Sequence, residues 1–316
     1  MDIESICIIG GTGFVGRSIA EQACARALRV RVVTRSEPRA RHLLVLPTVE
    51  TQVGDPNDEK ALARALDGMD AVVNLVGILH PSGRASFASA HVELPRKIAR
   101  ACRAAGTRQF LHMSALGAST SAPSEYLRSK AAGEEAVRAA GARLPFTIFR
   151  PSVIFGEHDR FLNLFARLAR IFPVIPLGGA AARFQPIWVE DVARAFVASL
   201  GESRALGSTF ELCGPRAYTL EELVRFAAAT VGRPRRIVAL PGALASLQAW
   251  VFEHLPGQLL TRDNLRSMSV ENVCAGPFPH LFGFEPSPME AVVPDYLAGM
   301  SARESRYQQF RHYAGR

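Results

Sequence analysis

The chain has 316 residues and is 48% hydrophobic, enough to bury a sizeable core in one large or two modest domains. Its net charge is +8, yet only three of its 37 basic residues are lysines (Lys60, Lys97 and Lys130) and no run of like charge occurs. That diffuse arginine surplus suits an anionic cofactor or membrane surface, and the absence of any zinc-finger or aromatic-basic pattern argues against nucleic acid.

Near the start, Ile6 to Gly16 reads as strand, tight turn and helix start. Gly11, Gly13 and Gly16 spell G-x-G-x-x-G, and Gly10, Gly13 and Gly16 spell G-x-x-G-x-x-G. Such a turn lets backbone approach a pyrophosphate, whose charge the following helix end favours, so Gly10, Thr12, Gly13, Phe14, Val15 and Gly16 are candidate dinucleotide contacts. A helix over Val15–Ala27 and a strand over Val30–Val33 complete a βαβ unit. Where an NAD enzyme usually places an acid after this second strand, the chain reads Thr34-Arg35-Ser36, with Arg39 and Arg41 close behind. A guanidinium there suits a 2′-phosphate, so Arg35 favours NADP(H), with NAD(H) as the other choice.

A third strand over Val49–Val53 leads to Gly54-Asp55-Pro56-Asn57 and a helix over Asp58–Leu66. Asp55 is placed either to accept from the adenine amino group or to form an Asx turn. The strand Ala71–Gly77 is apolar enough to be buried on both faces, with Val76 and Gly77 positioned to let the cofactor pass. A helical pattern over Phe87–Ala105 and a strand over Gln109–Met113 ending at Ser114 continue the alternation, followed by a helix opening at Glu125 and a strand over Phe146–Phe149. After Arg150-Pro151-Ser152 the segments shorten and gain proline.

The expected fold is α/β: a Rossmann doubly wound parallel sheet with a smaller C-terminal α/β lobe. The Rossmann domain takes residues 1–155, with later strands from about 181–213 returning to it; the lobe takes 156–180 and 214–316. A helix over Gly242–Leu255 sets Leu244, Leu247, Val251 and Leu255 on one side, as lobe core or as a surface for lipid or an apolar partner.

Tyr126 and Lys130 are spaced i, i+4 and share a helix face. A cation near a phenol lowers its pKa by roughly 1 to 3, which would ready Tyr126 for proton transfer near neutral pH. Lys130 also suits ribose hydroxyls as a compact donor, and Ser114 is placed to orient a substrate oxygen. The expected catalytic set is Ser114, Tyr126 and Lys130, with no metal-ligand spacing among the histidines.

Five widely spaced cysteines without a C-x-x-C pair argue against a disulfide framework and for a reducing compartment. No basic-apolar leader precedes the first strand, and no stretch reaches the roughly 20 apolar residues of a spanning helix. The expected location is cytoplasmic, with peripheral contact on the cytoplasmic side of the inner membrane left open.

The turn Gly10–Gly16, Asp55, Ser114, Tyr126 with Lys130, Arg150-Pro151-Ser152 and Val189-Glu190-Asp191-Val192 resemble, in this order, the extended or atypical short-chain dehydrogenase/reductases, a group of oxidoreductases and epimerases. More narrowly, Tyr126–Glu134, Ile154–Asn163 and Leu260–Asn264 are similar to the NADPH-binding accessory subunits of respiratory complex I and their bacterial relatives. The resemblance implies a tightly held NADPH, adds Pro151 and Val153 to the cofactor contacts, and implies partners in a membrane-associated respiratory complex or among quinones and lipids. It departs from the short-chain pattern at Ala90-His91-Val92-Glu93, where an asparagine is common. Two readings stay open: hydride transfer with Tyr126 as acid/base, and a non-catalytic NADPH-holding accessory or assembly role. The oligomeric state is left open.

Overall fold

The computed structural model describes residues 2–81, 83, 85–141, 144–254 and 260–298. In chain order its strands are β1 (Ser5–Ile9), β2 (Arg29–Thr34), β3 (Val49–Val53), β4 (Ala71–Asn74), β5 (Gln109–Met113), β6 (Phe146–Pro151), β7 (Ile154–Phe155), β8 (Val174–Gly178), β9 (Arg183–Phe184), β10 (Ile187–Trp188), β11 (Thr209–Leu212), β12 (Tyr218–Thr219) and β13 (Arg236–Leu240). Its α-helices are α1 (Phe14–Ala25), α2 (Glu59–Leu66), α3 (Leu94–Ala104), α4 (Glu125–Ala140), α5 (Leu162–Ile171), α6 (Val189–Ala198), α7 (Leu220–Thr230), α8 (Gly242–Glu253), α9 (Arg262–Ser267) and α10 (Met289–Leu297).

Two compact units emerge. The first comprises Met1–Ser152, Val189–Cys213 and Cys274–Glu285; the second comprises Val153–Trp188, Gly214–Val273 and Pro286–Arg316. These bounds differ from the sequence reading in three places. The first unit ends at Ser152, and Val153–Phe155, with β7, belong to the second. The return to the first unit starts at Val189, because β9 pairs with β12 and β10 with β7 inside the second. Segment Cys274–Glu285 joins the first unit, where the Phe282 ring packs edge-on to Phe210 and tilted to Phe149 at ring distances of 5.1 and 6.1 Å. Leu255 and residues 299–316 of the expected lobe lie outside the described residues.

The first unit is built on a seven-stranded sheet in the order β11-β6-β5-β4-β1-β2-β3, with every pair parallel. Parallel strands need crossovers, and the helices cover both faces: α2, α3 and α4 neighbour one another on one, α1 and α6 on the other. Cys7, Ile9, Leu62, Leu66, Val72, Ile98, Phe110 and Ile148 form the core between the sheet and the α2–α4 layer. Strand order reverses between β1 and β4, so the C-terminal ends of these strands border the crevice where open α/β sheets hold ligands.

Two elements depart instructively from the expected pattern. The strand read to Gly77 stops at Asn74, whose Oδ1 accepts from the Val76 N–H at 3.2 Å and turns the chain out of the sheet. The long helix over 87–105 is a π-helical turn, Ser89–Glu93, continuing into α3, with Pro95 two residues beyond that turn, where it cannot donate back to the His91 carbonyl.

The expectation of unpaired cysteines is corrected: Cys213 and Cys274 form a disulfide across 61 residues. Sequence spacing carried no sign of it because the fold makes the approach. Cys213 follows β11, and the Ala275 N–H beside it donates to Glu211 on that strand at 3.1 Å. Cys7, Cys24 and Cys102 are free thiols.

The second unit holds three two-stranded pairings (β7 with β10, β9 with β12, β8 with β13) and helices α5 and α7–α10. One core gathers Phe155, Leu162, Tyr218, Leu223, Met289 and Val293; another gathers Ile175, Leu177, Leu220 and Val224.

Candidate functional site

The glycine turn sits at the C-terminal end of β1, on the crevice. Gly10 has φ of +90°, a conformation that disfavours a side chain, and its carbonyl accepts from the Gly13 N–H at 3.1 Å. A Cβ on Gly16 would stand 2.5 Å from both Gly10 O and Gly11 Cα, so the helix start can lie this close to the turn only without one. Gly13 caps α1 without a side-chain hydrogen bond, which leaves the first-turn N–H groups of Phe14, Val15 and Gly16 for an anionic ligand. These features fit the pyrophosphate of a dinucleotide.

Beside the turn, Thr34 ends β2 and its hydroxyl donates to Ser36 O at 2.9 Å, fixing the chain that follows. Arg35 is exposed there and makes no hydrogen bond or ion pair among the described residues. Arg39 and Arg41, also exposed, follow on the 3₁₀ turn Glu37–Leu43. Asp55 forms the Asx turn, its Oδ1 accepting from the Asn57 N–H at 2.9 Å.

At the ends of β4 and β5 the second group assembles around α4. Ser124 caps this helix by accepting from the Leu127 N–H at 3.2 Å, and the i, i+4 spacing then brings Lys130 Nζ to 6.0 Å from the Tyr126 ring centroid. Lys130 is buried; its Nζ donates to Met113 O at 3.2 Å and would lie 3.0 Å from a Cβ on Gly77. The loop at Val76 and Gly77, the end of β5 and the face of α4 carrying Tyr126 and Lys130 therefore meet. Burial pulls the Lys130 ammonium down to about 8, partly countered by Glu134. The expected lowering of the Tyr126 pKa is not found: burial pushes the phenol up to about 12. Its ring lies edge-on to Phe87 and His91, and this apolar enclosure outweighs an ammonium 6.0 Å away.

His91 takes a structural place. Its Nε2 accepts from the Ile78 N–H at 3.0 Å, which puts the proton on Nδ1, 2.8 Å from Ser129 Oγ. Ser129 in turn donates to Tyr126 O at 2.7 Å. Burial and then the Lys130 charge pull the imidazole down to about 3, so it stays neutral and clamps the loop after Gly77 to α4. The π-helical turn lets the His91 carbonyl press on Gly133, where a Cβ would overlap it.

Sequence reasoning did not anticipate the role of Glu134. Ser114 is buried and donates its hydroxyl hydrogen to Glu134 Oε1 at 2.5 Å. Glu134 is fully buried, gripped by Arg150 at 2.7 and 2.6 Å and by Arg138 at 2.8 Å. Burial alone would raise its pKa, but hydrogen bonds from Arg150, Ser114 and Arg138 outweigh that and hold the carboxyl below its ordinary value. The signal was the spacing of Lys130 and Glu134, again i, i+4, ahead of an arginine on the next strand. His112 was missed as well. Its Nδ1 pairs with Asn74 Nδ2 at 3.1 Å, and its buried Nε2 has no hydrogen-bond partner among the described residues.

Pro151 closes β6 in the first unit, paired with Leu212. Val153 belongs to the second unit, where its N–H donates to Asn272 Oδ1 at 3.1 Å. The structure thus gathers Tyr126, Lys130 and Gly77 in one place beside the Met113 carbonyl, holds the Ser114 hydroxyl on Glu134 one turn further along α4, and puts the glycine turn with Arg35 at another point along the same sheet edge. Among the described residues no cluster of His, Cys, Asp and Glu is arranged to hold a metal ion.

The sequence pattern of the NAD dependent epimerase/dehydratase family matches residues 6–213. An Arabidopsis thaliana protein named NADH dehydrogenase (ubiquinone) 1 alpha subcomplex subunit 9, mitochondrial, is 36% identical over 250 residues, 77% of this chain and 61% of that protein. The match therefore spans less than two thirds of the plant protein. A ceramide reductase of Caulobacter vibrioides is 35% identical over 253 residues, 78% of each chain. Among solved structures, a UDP-glucuronic acid 4-epimerase of Bacillus cereus, described in complex with NAD, superposes with a TM-score of 0.64 at 17% identity, covering 84% of this chain and 97% of that one.

Proposed function

The chain belongs to the NAD dependent epimerase/dehydratase family, and from that premise we propose that it is an NADP(H)-dependent reductase acting on a carbonyl or alcohol carbon. The observation that carries this reading is the meeting of Tyr126 and Lys130 beside Gly77 and the Met113 carbonyl on the crevice side of the sheet, with Ser114 next in the chain after Met113. The glycine turn would hold the pyrophosphate, Arg35 the 2′-phosphate and Lys130 the ribose. When bound, the nicotinamide supplies or accepts the hydride. Tyr126 supplies the proton to the carbonyl oxygen or removes it from the alcohol, a use that requires the bound substrate and cofactor to lower its phenol from about 12. Lys130, with its ammonium pulled to about 8, is poised to return a proton near neutral pH.

A second reading rests on a specific observation. Ser114 has committed its hydrogen to Glu134 and His91 has both ring nitrogens engaged, an arrangement suited to holding cofactor without turnover. The complex I subunit among its relatives supports the same role in a respiratory assembly. The test is to release and identify the nucleotide of the purified protein and follow NADPH absorbance with carbonyl and quinone panels, in wild type and Tyr126→Phe. Turnover abolished by the substitution supports the reductase; an inert wild type that retains NADPH supports the accessory role. Arg35→Asp tests cofactor choice separately: NADPH affinity that does not fall relative to NADH overturns the role given to Arg35.

A further inference from the structure

The second unit carries an apolar surface that its own chain leaves open. In the β8/β13 pair, alternate residues face opposite ways: Ile175, Leu177 and Ile237 turn into a core, while Val174, Pro176 and Val238 turn to solvent. Gly178 lies on the open face, and having no side chain it admits α8, whose Ala245 would stand 3.0 Å from a Cβ there. Gln248 fastens the helix, accepting from the Gly178 N–H at 3.2 Å and donating to Pro176 O at 2.9 Å. Thus α8 covers one end of the sheet face through Ala245 and Ala249, both buried, and turns a second apolar side outward. On that side Leu244, Leu247, Trp250 and Val251 are 51, 55, 48 and 41% exposed, and Ile171 and Phe172 at the end of α5 are open as well.

The charge around this surface is mainly positive: Glu253 at the end of α8 and Asp263 on α9 are paired with Arg262 and Arg266. Segments 160–180 and 231–252, which supply α5, β8, β13 and most of α8, contain Arg160, Arg167, Arg170, Arg233, Arg235 and Arg236 and no acidic residue. None of the six forms an ion pair among the described residues. Arg170 and Arg235 donate to main-chain carbonyls, and the other four are exposed. No described helix is long and apolar enough to cross a membrane.

We propose that this face is a monotopic docking surface for an anionic lipid bilayer, with the outer side of α8 entering the acyl boundary and the arginines resting among the headgroups. Exposed apolar side chains flanked by unpaired cations are what such an interface takes, since lipid needs no matching hydrogen-bond pattern. A second copy seated face to face would oppose the same arginines. The proposal is independent of the dinucleotide site, which lies in the other unit.

The test uses the full chain with vesicles of phosphatidylcholine alone or with one quarter phosphatidylglycerol, followed by sedimentation. Wild type is expected to bind the anionic vesicles, more weakly as salt rises. Leu247→Glu with Trp250→Glu, both at exposed positions, should reduce binding at least tenfold while leaving circular dichroism and nucleotide retention unchanged. Arg233→Gln with Arg236→Gln should reduce it about 25-fold on anionic vesicles, at about fivefold per cation near such a surface, with little change on neutral ones. Wild type that fails to bind anionic vesicles, or folded variants that bind as wild type does, overturns the proposal. So does a wild-type dimer that Leu247→Glu converts to monomer, which would assign the face to a second copy.

Discussion

Replacing Glu134 by glutamine should loosen the first unit, because this carboxylate is the hub joining α4 to β5 and β6. It is fully buried and accepts from Arg150 twice, from Arg138 and from Ser114. A glutamine keeps the shape but supplies one accepting oxygen and turns an NH₂ toward guanidinium donors. Removing one partner of a buried ion pair costs about 3 to 5 kcal/mol. The Arg150 and Arg138 side chains are 24 and 41% exposed and regain some hydration, so the low end, about 3 kcal/mol, applies. A whole-chain melt does not isolate one unit, so the assay is native-state hydrogen exchange at the amides of Gln109–Met113 and Phe146–Pro151, where protection should fall roughly 150-fold. The acid dependence follows from the sign of the shift. A carboxyl held below its ordinary 4.5 contributes stability that is present above that value and lost as pH falls through its folded value. The gap between variant and wild type should therefore shrink in acid. Protection lowered less than about fivefold at neutral pH, or a gap that persists unchanged after the carboxyl is protonated, would refute the reasoning.

Gly133→Ala should destabilise by about 1 to 3 kcal/mol, measured by exchange in α4, because its Cβ would overlap the His91 carbonyl; an alanine variant as protected as wild type would mean the π-helical turn yields freely. Cys213→Ser should lower resistance to urea by about 4 kcal/mol through the 61-residue separation it unties, and wild type in reductant should match it; thiol mapping that finds both cysteines free in the native protein removes the basis. Ser114→Ala leaves Glu134 its three arginine contacts and should cost about 1.5 to 3 kcal/mol in exchange protection; a much larger loss would show that the hydroxyl, not the guanidinium pair, holds the carboxylate.

Much of the first unit was legible because its signals are local. The strand Ala71–Asn74 and the strand Gln109–Met113 announce themselves by apolar residues between breakers, and the i, i+4 rule places Tyr126 over Lys130 without knowledge of the fold. What escaped depends on residues distant in sequence. The enclosure that raises the Tyr126 phenol comes from Phe87 and His91, the disulfide joins residues 61 apart, and Glu134 meets Arg150 only once β6 lies beside β5. The π-helical turn escaped for a different reason. A period of 3.6 fits Phe87–Ala105 well enough and does not mark the residue inserted ahead of Pro95, whose ring cannot donate to the His91 carbonyl four positions back.

The Glu134 network also sharpens the choice between the two functional readings. A serine hydroxyl has one hydrogen, and that of Ser114 points at a carboxylate kept charged by two arginines. Toward a ligand it therefore offers lone pairs. It can accept from an alcohol, but to donate to a carbonyl it must first leave Glu134, at a cost of about 1.5 to 3 kcal/mol for a hydrogen bond to a charged group. Carbonyl reduction must recover that cost from substrate binding or rely on Tyr126 as the principal donor, while alcohol oxidation starts with Ser114 already turned the right way. A chain that merely retains its nucleotide faces no such cost. The rate asymmetry between the two directions, compared in wild type and Ser114→Ala, thus reports on the serine's hydrogen in a way that binding alone does not.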